Sequence, residues 1–280
     1  MRGDRRGGTA VTGGGASAAR SRRPPPPFRT GTVIAIEDLG PRLRRLTIGG
    51  PDLTGFPVPL PGASVRLLVP SPGTSRLEMP AWTGNEWLLP GGKRPALRTF
   101  TPLAVDPEAG TLAVAVVLHG PGVISDWART VDAGAPCAVS GPGRGYTVEA
   151  TAPAFVLVGD ETALPAIGQL LEAIPAAATV RVHVEVASPD GRIALPSHPR
   201  ATVVWHELGD HADPGSAMAI ATTTLEIGPD DRIWVAGEAA SVQRIRRHLF
   251  DTLGVPRSRA TVRGYWKRGR AGDVEDSAPD

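Results

Sequence analysis

The sequence predicts a β barrel followed by a parallel α/β domain, and a change of rhythm near residue 150 carries that prediction. From Phe28 to about Val148, short runs such as 32–36, 43–48, 64–69, 112–118 and 137–139 are separated by turn residues, and several are alternating or β-branched. Six or so strands at that spacing suit a small antiparallel barrel. After Ala150, continuous apolar runs alternate with stretches of helical period, as expected of a parallel sheet covered by helices on both faces. The 34 glycines and 29 prolines fit many turns and short elements.

Residues 1–27 are rich in glycine, alanine and arginine and end in Pro24 to Pro27. Such a segment cannot bury enough apolar surface to offset the entropy of ordering, so it reads as a disordered basic arm. Within 28–150, helical signal is confined to 124–130, and 71–95 reads as a long loop with Trp82 and Trp87 exposed at its tip. In the second domain, 151–270, strands are predicted over 155–158, 180–186, 201–205, 232–236 and 261–263. Helices are predicted over 163–174, 215–225 and 239–253, the last stopped by Gly254 and Pro256. Residues 271–280 form an acidic tail.

Composition excludes several functions. The formal charge of +2 is unevenly spread, since residues 1–30 hold seven arginines against one aspartate. The remaining body is weakly acidic, which argues against nucleic acid as a partner. Cys137 is the only cysteine, so an intrachain disulfide, a cysteine-built iron–sulfur cluster and a four-cysteine zinc site are all excluded. The six histidines lack the two-histidine spacing of a zinc protease, and no protein-held metal is expected. No apolar run approaches the ~18–20 residues of a membrane span. Residues 1–30 hold no apolar core of a secretory signal. A cytoplasmic protein is the expectation.

Three stretches carry candidate chemistry. The first is Arg98-Thr99-Phe100-Thr101-Pro102-Leu103 with the turn Leu118-His119-Gly120-Pro121-Gly122-Val123-Ile124-Ser125. Arg98 offers a planar fork for a diphosphate. Phe100 lies two residues on, on the same face of a strand, and can pack on a flat ring. Thr101 supplies a hydroxyl, and a turn opening a helix favours an anion. The plainer reading is a surface arginine beside an ordinary strand and turn.

The second stretch is the set of strand ends Gly159-Asp160-Glu161-Thr162, Ala187-Ser188 and Gly237-Glu238-Ala239, where open α/β sheets bind ligands. No G-x-G-x-x-G follows the first strand, and Asp160 and Glu161 would repel a diphosphate on that helix. Thr162 is the expected helix cap, with Pro165 tolerated in the first turn. As a plain helix start these residues need no ligand. The third stretch, Arg263-Gly264-Tyr265-Trp266-Lys267-Arg268-Gly269-Arg270, interleaves aromatics with cations and contains Lys267, one of only two lysines. It suits an anionic or chelating ligand, or is simply a basic tail.

Together RTFT (98–101), LHGPGVISDWA (118–128), VSGPGRG (139–145), VGDETALPAI (158–167), WVAGEAASVQRIRR (234–247) and RGYWKRG (263–269) resemble the siderophore-interacting protein family, flavin-dependent ferric-siderophore reductases related to ferredoxin–NADP reductases. The resemblance spans about 28–270. It implies a Greek-key-type FAD barrel followed by a nucleotide-binding domain of the ferredoxin reductase kind. Arg98 would hold the FAD diphosphate, with Thr99 beside it. Phe100 would flank the isoalloxazine, and Thr101 would contact its reactive edge. Leu118, His119, Gly122, Val123, Ile124 and Ser125 would serve the phosphates and the adenine side.

NADPH or NADH would meet Asp160, Glu161, Thr162, Gly237 and Glu238, with Thr101, Glu161 and Glu238 as the catalytic set. Trp266 would lie at the exposed flavin edge, and Arg263, Lys267, Arg268 and Arg270 would face a ferric siderophore. A reduced ferredoxin is a second donor class. The family usually has tyrosine where Phe100 stands, arginine at Leu103 and a small residue at Ile124. Two alternatives stay open: a general NAD(P)H–flavin or quinone reductase, and a non-catalytic siderophore-binding protein with a weakened FAD site.

Overall fold

The computed structural model describes residues 24–118, 122–209 and 212–269. His119, Arg270, most of the basic arm and the acidic tail lie outside the described residues. Among the described residues no helix is long and apolar enough to cross a membrane.

The first half holds strands β1 (Phe28–Gly40), β2 (Leu43–Gly49), β3 (Val65–Val69), β4 (Ala81–Trp82), β5 (Trp87–Leu88), β6 (Ala96–Phe100), β7 (Pro102–Asp106), β8 (Thr111–Val117) and β9 (Pro136–Ser140), with helix α1 (Val123–Thr130). Seven of them form one antiparallel sheet in the order β6-β3-β9-β1-β2-β8-β7. That is one strand more than the sequence predicts, because the 98–103 stretch divides. Pro102 cannot donate to a ladder, so the chain leaves one end of the sheet at Phe100 and joins the other end at Pro102. The sheet therefore curls on itself. Helix α1 packs against both β6 and β8, and its Val123, Ile124 and Trp127 complete a core of Val33, Leu46, Leu67 and Val139.

Residues 71–95 are not an open loop. β4 and β5 pair as a small hairpin, Trp82 lies edge-on to Trp87 at 5.4 Å, and Trp87 lies edge-on to Phe28 at 5.0 Å. Both tryptophans are half-buried, because aromatic area this large is removed from water wherever a neighbour allows it.

The second half contains β10 (Ala154–Asp160), α2 (Leu164–Ala173), β11 (Thr179–Val186), β12 (Ala201–Glu207), α3 (Ser216–Thr223), β13 (Arg232–Glu238), α4 (Ala239–Arg247) and β14 (Ala260–Trp266). Its sheet is wholly parallel, in the order β12-β11-β10-β13-β14. α2 covers one face over Leu157, Val182 and Trp234, and α3 and α4 cover the other over Val156, Val235 and Val262. The last predicted helix ends at Arg247 and continues as a π-helical turn, His248–Thr252. The order reverses between β10 and β13, so the ligand crevice of an open α/β sheet falls at the ends of these two strands.

His183 and His206 come together on this sheet, Nδ1 to Nε2 at 3.0 Å with rings only 15° apart in plane. At that distance one ring nitrogen can donate to the other, the direction depending on the tautomer. Among the described residues no cluster of metal-ligating side chains occurs.

Candidate functional site

At the barrel, β6 is an edge strand paired only with β3. Ala96 and Phe100 pack into the core beneath α1, and Arg98 shares their face by strand alternation. Arg98 is half-buried, with one guanidinium nitrogen donating to the Leu97 carbonyl at 2.6 Å. Thr99 points outward and is exposed, whereas Thr101 is buried where the strand breaks. α1 begins at Val123 with Gly122 as its cap and no side-chain cap. Ile124 and Ser125 are buried in its first turn.

The sequence reading overlooked Asp126. Its carboxylate accepts from the Gly122 amide at 3.1 Å and pairs with Arg129 at 2.9 Å. A cation and an aromatic face thus lie on one sheet edge beside α1, whose start is already met by the Asp126 carboxylate, and Arg98 and Phe100 are the groups whose chemistry fits a flavin with a diphosphate.

The second half meets the barrel at the β1–β2 turn, which the Leu118 strand end steadies. The Leu118 amide donates to the Arg42 carbonyl at 2.7 Å. The Arg42 guanidinium makes a bidentate pair with Glu161, Nε to Oε1 and Nη2 to Oε2 both at 2.9 Å. The hydrogen bond to Glu161 raises the Arg42 pKa above its ordinary value. Glu161 Oε1 also accepts from the Ala187 amide at 3.0 Å. The expected catalytic Glu161 is therefore a buried clamp joining the β1–β2 turn to the parallel sheet. Gln169 is a second tie: its Nε2 donates to the Pro102 carbonyl at 2.6 Å, and its Oε1 accepts from the Gly62 amide at 2.9 Å.

Asp160 sits at the end of β10 with both oxygens engaged. One accepts from the Thr162 amide at 2.9 Å and its hydroxyl at 2.5 Å. The other accepts from the Glu238 amide at 2.9 Å and the Trp266 indole at 2.7 Å. Burial pushes the Asp160 carboxyl up to about 6, against the opposing pull of the Thr162 and Trp266 hydrogen bonds. The cap that the sequence gives to Thr162 thus belongs to Asp160, ahead of a 3₁₀ turn, Glu161–Ala163.

Gly237 has φ near 154°, and a β-carbon there would lie 2.7 Å from Asp160 Oδ2. Only glycine fits that crossing. The expected catalytic Glu238 is also inward-looking. It is buried, and its Oε2 caps α4 by accepting from the Ser241 amide at 2.9 Å.

Of the third stretch, Arg263 turns back onto the connecting chain, donating to the carbonyls of Arg144 at 3.0 Å and Gly145 at 3.3 Å. That placement departs from the expected siderophore contact, because two backbone carbonyls satisfy the fork. Trp266 is half-buried, Lys267 and Arg268 are exposed, and Arg268 pairs with Asp213. Two clefts of about 270 and 310 Å³ flank α2 where it meets the barrel, the larger lined by Leu43, Leu103, Leu164 and Ile193. Neither reaches Arg98.

Comparison with known proteins finds matches to both halves of the chain. Residues 32–146 match the siderophore-interacting FAD-binding domain, and residues 152–269 match the siderophore-interacting protein model. The ferric vibriobactin reductase ViuB of Vibrio cholerae is 30% identical over 232 residues, covering 81% of this chain and 85% of its own. Among solved structures, the siderophore-interacting protein SipS from Aeromonas hydrophila is 32% identical with a TM-score of 0.71, covering 87% of this chain and 100% of its own. A siderophore utilization protein from T. fusca is 30% identical with a TM-score of 0.79, covering 90% and 97%. A ferredoxin reductase of carbazole 1,9a-dioxygenase, at 16% identity and a TM-score of 0.64, shares the fold alone.

Proposed function

The chain belongs to the siderophore-interacting protein family, an FAD-binding protein homologous to ferric vibriobactin reductase, and from that premise we propose that it reduces ferric siderophores, passing electrons from NADPH or NADH through FAD and releasing ferrous iron. The observation that carries this reading is that β8 touches both α1, which packs on β6, and the turn at the end of β10, with the exposed Lys267 following β14 directly.

When bound, FAD accepts a hydride and gives up electrons one at a time, the conversion that a two-electron donor and ferric iron require. Arg98 would neutralise the diphosphate, and Phe100 would offer its ring to the isoalloxazine. Thr101, buried at the strand break, would supply a hydroxyl where bulk water is excluded. Trp266, fixed by its indole, would stand beside the acceptor. Lys267 attracts an anionic chelate, while the Arg268 guanidinium is held by Asp213. A nicotinamide is the proposed donor because an open parallel sheet binds such ligands at the ends of its strands.

The test is an anaerobic absorbance titration of purified protein reconstituted with FAD. The flavin band should bleach on addition of NADPH and return on addition of a ferric siderophore. A band that bleaches but returns only with free flavin or quinone acceptors refutes the siderophore assignment.

A further inference from the structure

The two buried carboxylates at the switch point look inward, and that orientation assigns them a task. Asp160 and Glu238 are only 6% and 4% exposed. Asp160 spends its oxygens on four donors, one of which is the Trp266 indole at 2.7 Å. Glu238 accepts from Ser241 through Oε2 and from the Arg268 backbone amide through Oε1 at 3.4 Å. The Arg268 guanidinium is drawn aside to Asp213. Residues 266 and 268 are thus anchored on either side of Lys267, which is exposed.

We propose that Asp160 and Glu238 are positioning residues, a two-point clamp on Trp266 and Arg268 that holds Lys267 outward to receive an anionic iron chelate. This rests on the reductase reading for the identity of the ligand, but not for the clamp itself. A cation on a free chain end loses conformational freedom when it binds, whereas one held at both neighbours has already given that freedom up. A buried carboxylate with every oxygen engaged is also a stable anchor, because neither oxygen is desolvated without a partner.

The experiment measures binding directly, by isothermal titration calorimetry of FAD-reconstituted protein with ferric EDTA as an anionic probe and ferric tris-maltolate as a neutral one. Lys267→Gln should weaken ferric EDTA binding about three- to fivefold, the size of an exposed ion pair, and leave the neutral probe unchanged. Glu238→Gln places an amide N–H against the Arg268 amide, and should reproduce that loss. The double variant should be no worse than either single one.

Where Glu238→Gln lowers the urea midpoint too far to titrate, Asp160→Asn acts on the other anchor, turning an N–H toward one of its four donors, and should give the same selective loss. Unchanged ferric EDTA binding in the clamp variants, or additive losses in the double variant, overturns the clamp. So does an absent effect of Lys267→Gln. Selective binding losses without any NAD(P)H-driven turnover would leave the clamp standing and sink the reductase reading instead.

Discussion

The contact most open to a decisive test is the bidentate pair between Arg42 and Glu161. Its side chains are 27% and 10% exposed, so it lies between an exposed pair, worth about 0–1 kcal/mol, and a fully buried one, whose breaking costs about 3–5 kcal/mol. Discounting for the open side of Arg42 gives a coupling of about 2 kcal/mol. Arg42→Met keeps the stem and removes the charge. Glu161→Gln keeps an oxygen for the Ala187 amide but turns an N–H toward the guanidinium. Urea unfolding of wild type, both singles and the double variant yields the coupling as the non-additive remainder. It should persist at 1 M salt, because a mostly buried pair is weakly screened. A coupling below about 0.5 kcal/mol, or one abolished by salt, would refute Glu161 as the clamp and return it to the catalytic candidates.

Two further outcomes follow from the same geometry. Arg98→Ala should weaken FAD binding about tenfold or more, from ~1.5–3 kcal/mol for a charge-assisted hydrogen bond; flavin retention after gel filtration at graded concentrations measures it, and unchanged occupancy removes Arg98 from the diphosphate. The raised Asp160 pKa, about 6 against an ordinary 3.8, means that the folded state binds the proton more tightly than the unfolded chain. Its contribution is therefore fully present below pH ~4 and is lost as the pH rises to ~6, by about 3 kcal/mol in all. The stability difference between wild type and Asp160→Asn should fall across that window, and a flat or rising difference contradicts the burial argument.

The elements were legible because their periods differ. Phe155 to Val158 is apolar throughout as a strand buried on both faces must be, and the barrel strands alternate. What the sequence hid were the partners. Arg42 follows Gly40 and Pro41 in a turn, where an arginine reads as solvated; only the fold brings Glu161, 119 residues away, against it. Gln169 lies on a helix whose apolar spacing explains its neighbours and says nothing of an amide reaching both Gly62 and Pro102. The Trp82–Trp87 hairpin did leave a signal, since Thr83-Gly84-Asn85-Glu86 is a four-residue turn between aromatic flanks. The surrounding prolines and glycines concealed it.

The same hidden partners account for the missing glycine fingerprint. In a dinucleotide fold the strand-end amides at the switch point stay free for a diphosphate. Here the Thr162 and Glu238 amides already donate to Asp160, and the Ser241 amide that opens α4 donates to Glu238. Carboxylates occupy the place of the phosphate, so an acidic G-D-E-T replaces a run of glycines. A glycine survives at 237, where the Asp160 carboxylate passes too close for a β-carbon. On the reading proposed above, a nicotinamide donor would keep its phosphates away from the acidic ends of β10 and β13, where Asp160 and Glu238 hold the amides that a diphosphate would otherwise use.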